Sequence, residues 1–215
     1  IGNFDFNHPE MSQHLWMYEG LTEYSAHHVQ VKYGNMSMET FFEVMSEKIS
    51  RAEQFTEGLP FTEMSKNCLG ETEDDYLNVY QGGALIAMCL DLKLRYLSNG
   101  AYGTQELMRD LAKMYGKDSS FQDDSLLGDI VRLTYPEIGV FFDKHVKGAE
   151  DLPFAECLGY AGIEYKRKKT LTIMDPLGGF GIYVDSTNRV ILYPVAPNAF
   201  GKRIGYQRGD VLVSI

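Results

Sequence analysis

Apolar residues recur at three- and four-residue spacing from about Met11 to Ala161, with Gly, Asn and Pro punctuating the run. That is the periodicity of helices that bury one face. Gln13–Tyr33 reads as one helix closed by Gly34, and Ser37 is placed to cap a second that carries Phe41, Phe42, Met45 and Ile49 on one side. Gly83–Leu97 is apolar almost throughout, as a helix enclosed on most sides must be. Thr104–Tyr115, with Thr104 as its cap, Asp124–Leu133, Pro136–Val146 and a short helix opened by Pro153 follow. Beyond Gly162 the texture changes. Tyr165–Met174 alternates through Leu171 and Ile173, and Val190–Tyr193 and Val211–Val213 are short apolar runs between Gly, Pro and Asn turns. The pattern predicts a helical domain over residues 1–162 and an all-β domain over 163–215.

Composition narrows the classes of partner. With 215 residues, 44% of them hydrophobic, the chain can bury a sizeable core. Twenty basic against thirty acidic residues leave a net charge of −10, which repels nucleic-acid phosphates and anionic lipid, so no nucleic-acid partner is expected. No run approaches the ~18 apolar residues of a transmembrane helix. The opening Ile1–Phe6 has neither a basic nor an apolar leader region. It reads as the start of a piece cut from a longer chain, which leaves localisation open. The three cysteines, Cys68, Cys89 and Cys157, are widely separated and lack CxxC spacing, so they read as small buried side chains rather than as a disulfide framework or a metal site. The basic run Lys166–Lys169 reads as a solvated strand edge.

Candidate chemistry concentrates in Leu15–Tyr24. On a helix, Glu19 shares a stripe with Leu15, Glu23 and Ala26, so its carboxylate is drawn toward apolar neighbours. A carboxylate removed from water needs a cation, a hydrogen-bond donor or a metal. Periodicity alone also admits a solvated Glu on an amphipathic helix.

The string Trp16-x-x-Glu19-Gly20, followed by an aromatic at Tyr24, resembles the third-ligand helix of gluzincin zinc metallopeptidases. The resemblance implies that Glu19 is a zinc ligand, completing a site with two histidines of an HExxH helix. It also implies that Glu23, one turn on, orients a ligating histidine and fixes its tautomer. Tyr80-Gln81-Gly82-Gly83-Ala84 is similar to the segment that opens a buried helix in gluzincin aminopeptidases, in which the tyrosine donates to the oxyanion of the tetrahedral intermediate. Gly82 departs from that pattern, where Lys is common. Phe141–Gly148 with Glu150, Leu152, Pro153 and Phe154 resembles the end of the catalytic domain of the glycyl aminopeptidase family.

The following stretch looks like the start of a PDZ domain. Gly179, Phe180, Gly181 and Ile182 resemble its carboxylate-binding loop, and Ala199–Leu212 resembles the segment leading into its Gly-Asp turn. The fold class implied is the mainly α-helical portion of a thermolysin-like catalytic domain followed by a partial all-β PDZ-like domain. The implied function is peptide-bond hydrolysis after small N-terminal residues, glycine or alanine, with zinc as cofactor, peptides or proteins as substrate and a peptide C-terminus as partner of a complete PDZ domain.

None of the five histidines, His8, His14, His27, His28 and His145, has His-x-x-x-His spacing, so this chain by itself is expected to bind no stoichiometric zinc and to hydrolyse no peptide. The competing class is non-catalytic: a PDZ-containing scaffold or a degenerate peptidase.

Overall fold

Ser37 begins a helix as its position demands: its hydroxyl accepts the Thr40 amide at 3.0 Å, satisfying one of the donors a helix leaves orphaned. In the computed structural model, which describes residues 7–116, 119–167 and 178–212, this helix is α2 (Met38–Ala52). It follows α1 (Leu15–Lys32) and precedes α3 (Phe61–Asn67), α4 (Asn78–Leu97), α5 (Thr104–Met114), α6 (Leu126–Leu133), α7 (Pro136–His145) and α8 (Phe154–Gly159). The chain divides into two units, Ile1–Lys166 and Arg167–Ile215.

The first unit is built around α4, twelve of whose twenty residues are buried. Its apolar sequence predicts this position, but the helix begins at Asn78, five residues before Gly83. Tyr80, expected at the mouth of the helix, therefore lies within its first turn. Against it lies α1, which buries Trp16, Met17, Gly20, Leu21 and Tyr24 on one face. Phe41 and Met45 of α2, Leu107 of α5, Ile130 of α6 and Phe141 and Phe142 of α7 complete the core. Ile163 and Tyr165 pack on this same core, which is why the helical unit runs past Gly162.

Asp91 of α4 ties three helices together from a fully buried position. It accepts the Tyr24 hydroxyl of α1 at 3.0 Å, Arg95 Nε at 2.9 Å, and the Thr104 amide and hydroxyl at the start of α5 at 2.6 and 2.9 Å. Thr104 is thus the first residue of α5 rather than its cap. Gly103 occupies the cap position, its own amide donating to Glu106 Oε2 at 3.0 Å, and the first orphaned amide of the helix, that of Thr104, goes to Asp91. Gly103 has no room for a side chain, since a Cβ there would fall 2.4 Å from Asp91 Oδ1.

The second unit holds an antiparallel sheet of β1 (Gly178–Val184), β2 (Val190–Pro197) and β3 (Val211–Leu212) in that order, with helix α9 (Ala199–Ile204) between the last two. Asp185 closes the hairpin: its carboxylate accepts the Thr187 and Arg189 amides at 2.8 and 3.0 Å, and Asn188 takes the left-handed backbone the turn requires. Those bonds hold the Asp185 carboxyl well below the usual carboxylate range, with the Arg189 amide foremost. Most of the strand expected over Tyr165–Met174 lies outside the described residues. No helix among the described residues is long and apolar enough to cross a membrane.

Candidate active site

Gly20 and Gly83 set the geometry of the site. A Cβ on Gly20 would stand 2.3 Å from the Gly83 carbonyl carbon, and one on Gly83 would stand 2.8 Å from the Trp16 carbonyl oxygen. The backbones of α1 and α4 meet here with nothing between them, a contact only glycine allows. Glu19 immediately precedes the first glycine, and Tyr80 lies one turn before the second. The result is that Glu19 lies close enough to the Tyr80 hydroxyl for its charge to act on the phenol.

The start of α1 is fixed from two sides. Ser65 of α3, fully buried, accepts the Trp16 amide at 3.0 Å. His14, at the cap position, reaches the Asp123 carbonyl through Nε2 at 2.7 Å. Trp16 has no exposed surface and packs toward Phe142, ring centroids 6.5 Å apart, which is the packing role its sequence position suggests. Tyr18 is 71% exposed, and Tyr24 is buried on Asp91.

Glu19 and Glu23 lie along the border of the buried face rather than inside it, both half-buried, with Ala26 on the same stripe exposed. The interior is reached instead by the Trp16, Gly20 and Tyr24 row. A half-buried carboxylate beside a phenol keeps part of its hydration and is open to a ligand from the solvent side.

Tyr80 has two polar neighbours. Its hydroxyl lies 3.4 Å from that of Tyr76, with the rings edge to face, and Glu19 is the other. The hydrogen bond to Tyr76, burial and the Glu19 charge, in that order, raise the phenol well above its ordinary value, so it remains a neutral donor. The departure from the family pattern at Gly82 has a local cause: a Cβ there would fall 2.4 Å from the Phe61 ring and 2.7 Å from Asn78 Oδ1.

Glu23 pairs with Lys48 of α2, Nζ to Oε1 2.7 Å, and approaches His27 Nε2 at 3.5 Å. Burial pushes its carboxyl up, and the Lys48 bond and charge more than offset this, leaving it below the usual range. Lys48 is itself buried, a cation in the apolar row of Phe41 and Met45. Glu23, His27 and Lys48, with Val44, Glu47, Arg51 and Gln81, line a cleft of about 190 Å³.

A zinc ion requires three protein ligands of N, O or S type. Glu19 supplies a suitable carboxylate, and among the described residues no three His, Cys, Asp or Glu side chains are gathered to hold a metal. In the second unit, Gly179, Phe180, Gly181 and Ile182 lie on β1, paired to β2, with a register shift between Gly179 and Phe180. The segment expected as a loop is strand. Gly181 belongs there because Tyr193, its partner across the pair, lies over it: a Cβ would stand 2.2 Å from the Tyr193 ring.

Sequence reasoning passes over Tyr76, Lys48 and the two glycines. The i, i+4 spacing of Tyr76 and Tyr80 and the lone Lys in an apolar stripe are signals it can use. The pairing of Gly20 with Gly83 spans 63 positions and leaves no local trace.

The fold has a counterpart among solved structures. The chain is similar to a solved structure of an aminopeptidase N family protein from Idiomarina loihiensis, at 20% identity and a TM-score of 0.68, over 99% of this chain and 40% of the other. It thus spans two fifths of the length of that relative. Residues 1–86, which hold both Glu19 and Tyr80, match the model of the M61 glycyl aminopeptidases. No curated protein matches the chain.

Proposed function

We propose that the chain is part of a zinc-dependent aminopeptidase that removes small N-terminal residues, glycine or alanine, from peptides. The first unit is the helical part of its catalytic domain. The carrying observation is the Glu19–Tyr80 pair, an anionic ligand of the right kind beside a phenol kept protonated, both held by the Gly20–Gly83 contact. The family match over the residues that carry the pair supports it.

In this reading Glu19 is one of three zinc ligands, the others coming from beyond the described residues. Zinc supplies a Lewis acid that polarises the scissile carbonyl and acidifies water. Tyr80 donates its phenolic proton in a hydrogen bond to the carbonyl oxygen as negative charge builds there, and Tyr76 holds the hydroxyl in place. Glu23 orients a ligating histidine, a role in which its partners would be that imidazole and Lys48. Residues 1–215 alone are inactive.

The second unit is the N-terminal part of a PDZ-like domain. Gly179–Ile182 lie on β1 at the edge of the described sheet, where a peptide strand can add and its C-terminal carboxylate can meet backbone amides.

Metal analysis and peptide hydrolysis by the whole gene product test the reading. Glu19→Ala is expected to lose zinc and activity together. A variant that keeps stoichiometric zinc and wild-type turnover of glycyl peptides overturns it.

A further inference from the structure

Phe41, Met45 and Lys48 are the buried residues of α2, spaced so that all three lie on one face. A lysine takes the place an apolar side chain would fill. Its ammonium stands 2.7 Å from Glu23 Oε1, and that carboxylate is its bonding partner among the described residues. Taking an ammonium out of water costs several kcal/mol, and its attraction to a carboxylate offsets little more than that, so an apolar pair of the same size would hold α1 and α2 about as well. Stability does not account for the lysine.

What the pair supplies is direction. Both near contacts of the Glu23 carboxylate, Lys48 Nζ and His27 Nε2 at 3.5 Å, fall on Oε1. Among the described residues no donor bonds Oε2. With its backbone held by α1 and Oε1 held by α2, the side chain has few ways left to turn, and the second oxygen keeps one orientation. Gln81 and His27 line the same cleft, and their Oε1 and Nδ1 are buried with no partner among the described residues. The cleft thus holds hydrogen-bonding capacity that its own residues do not use.

We propose that Lys48 is a positioning residue for the zinc centre: it clamps Glu23 Oε1 so that Oε2 is presented to the N–H of a metal-bound imidazole. The proposal rests on the peptidase reading above, in which Glu23 orients that histidine. An imidazole whose outer N–H is held by a carboxylate keeps one tautomer and turns the lone pair of its other nitrogen to the metal. Lys48 touches neither metal nor substrate and acts through Glu23.

The test is zinc affinity in the whole gene product, measured by competition with a chromogenic chelator, with circular dichroism to follow the fold. Lys48→Met keeps the packing and removes the ammonium. It is expected to weaken zinc binding about 10–100-fold, with KM for glycyl peptides near the wild-type value at saturating zinc. Lys48→Arg keeps a cation and is expected to recover most of the affinity. In a Glu23→Ala background, Lys48→Met is expected to change zinc affinity by less than about threefold, because the residue through which it acts is gone. A structural role alone would weaken zinc binding alike with and without Glu23.

Wild-type zinc affinity in Lys48→Met, or an equal loss in both backgrounds, overturns the proposal. Lys48→Leu, with the same expected loss, takes the place of Lys48→Met should that variant not fold. Glu19→Ala separates the two failures. If it keeps zinc, the peptidase reading has failed, whereas loss of zinc in Glu19→Ala beside full affinity in Lys48→Met counts against Lys48 alone.

Discussion

Gly20 and Gly83 touch through their backbones: no side chain separates α1 from α4 at the point where one carries Glu19 and the other Tyr80. Alanine at either position has nowhere to put its methyl group, because the obstructing atoms are main chain and the helices must part. Gly20→Ala and Gly83→Ala are each expected to cost about 1–3 kcal/mol in chemical denaturation and to depress peptidase activity in the whole enzyme. Gly159→Ala provides the contrast. Its Cβ would meet nothing within 4 Å, so it is expected to be neutral or to stabilise by up to about 1 kcal/mol.

Tyr80→Phe keeps the ring and removes the donor. In the whole enzyme kcat is expected to fall by about 10²–10³-fold with KM and zinc content near normal, the usual signature of losing one oxyanion donor. Wild-type turnover by this variant with zinc bound returns Tyr80 to a packing role.

The raised phenol of Tyr80 has its own readout. Because its folded value lies above the ordinary 10.0, its neutral form favours the fold below about pH 10, and that stability is lost as pH rises through the folded value. Tyr80 is therefore expected to ionise later than exposed tyrosines such as Tyr18 in a spectroscopic titration, and Tyr76→Phe is expected to bring it back toward them.

Glu23 and Lys48 give a pH dependence of the opposite sign. The Glu23 carboxyl is depressed below 4.5 by Lys48, so the pair stabilises the fold above that value and loses its contribution as pH falls through the lower folded value. Lys48→Met is expected to cost about 1 kcal/mol near neutrality, and the difference from wild type is expected to shrink below about pH 4 in parallel urea melts.

Asp91→Ala removes the acceptor of Tyr24, Arg95 and Thr104 at once and leaves their donors unpaired in the core. The expected loss is about 3–5 kcal/mol, enough to leave little folded protein at 37 °C. Circular dichroism at graded temperature measures it.

Much of the helical unit was legible because its signals are local: the Ser37 cap, Pro136 at the start of α7 and the apolar run of α4 each act within a few residues. Trp16-x-x-Glu19-Gly20 was legible as a motif, but not the reason for its glycine, which lies on another helix. The helix α3 was missed because it is only seven residues long, and α9 because six residues between strands carry too little period. Gly179–Ile182 reads as a loop through its resemblance to the carboxylate-binding loop of PDZ domains, whereas here it is strand and Gly181 serves to receive the Tyr193 ring.

The burial of α4 carries a consequence for motion. A helix with twelve of twenty residues enclosed has little surface through which solvent can pry it loose, so its amides are among the last to exchange, while the six-residue α8 opens early and often. Tyr80 and Gly83 ride on the slow element. Breathing at the rim of the unit then leaves the phenol in register with the carboxylate, and the molecule can flex at its edge without losing the distance on which its chemistry would depend.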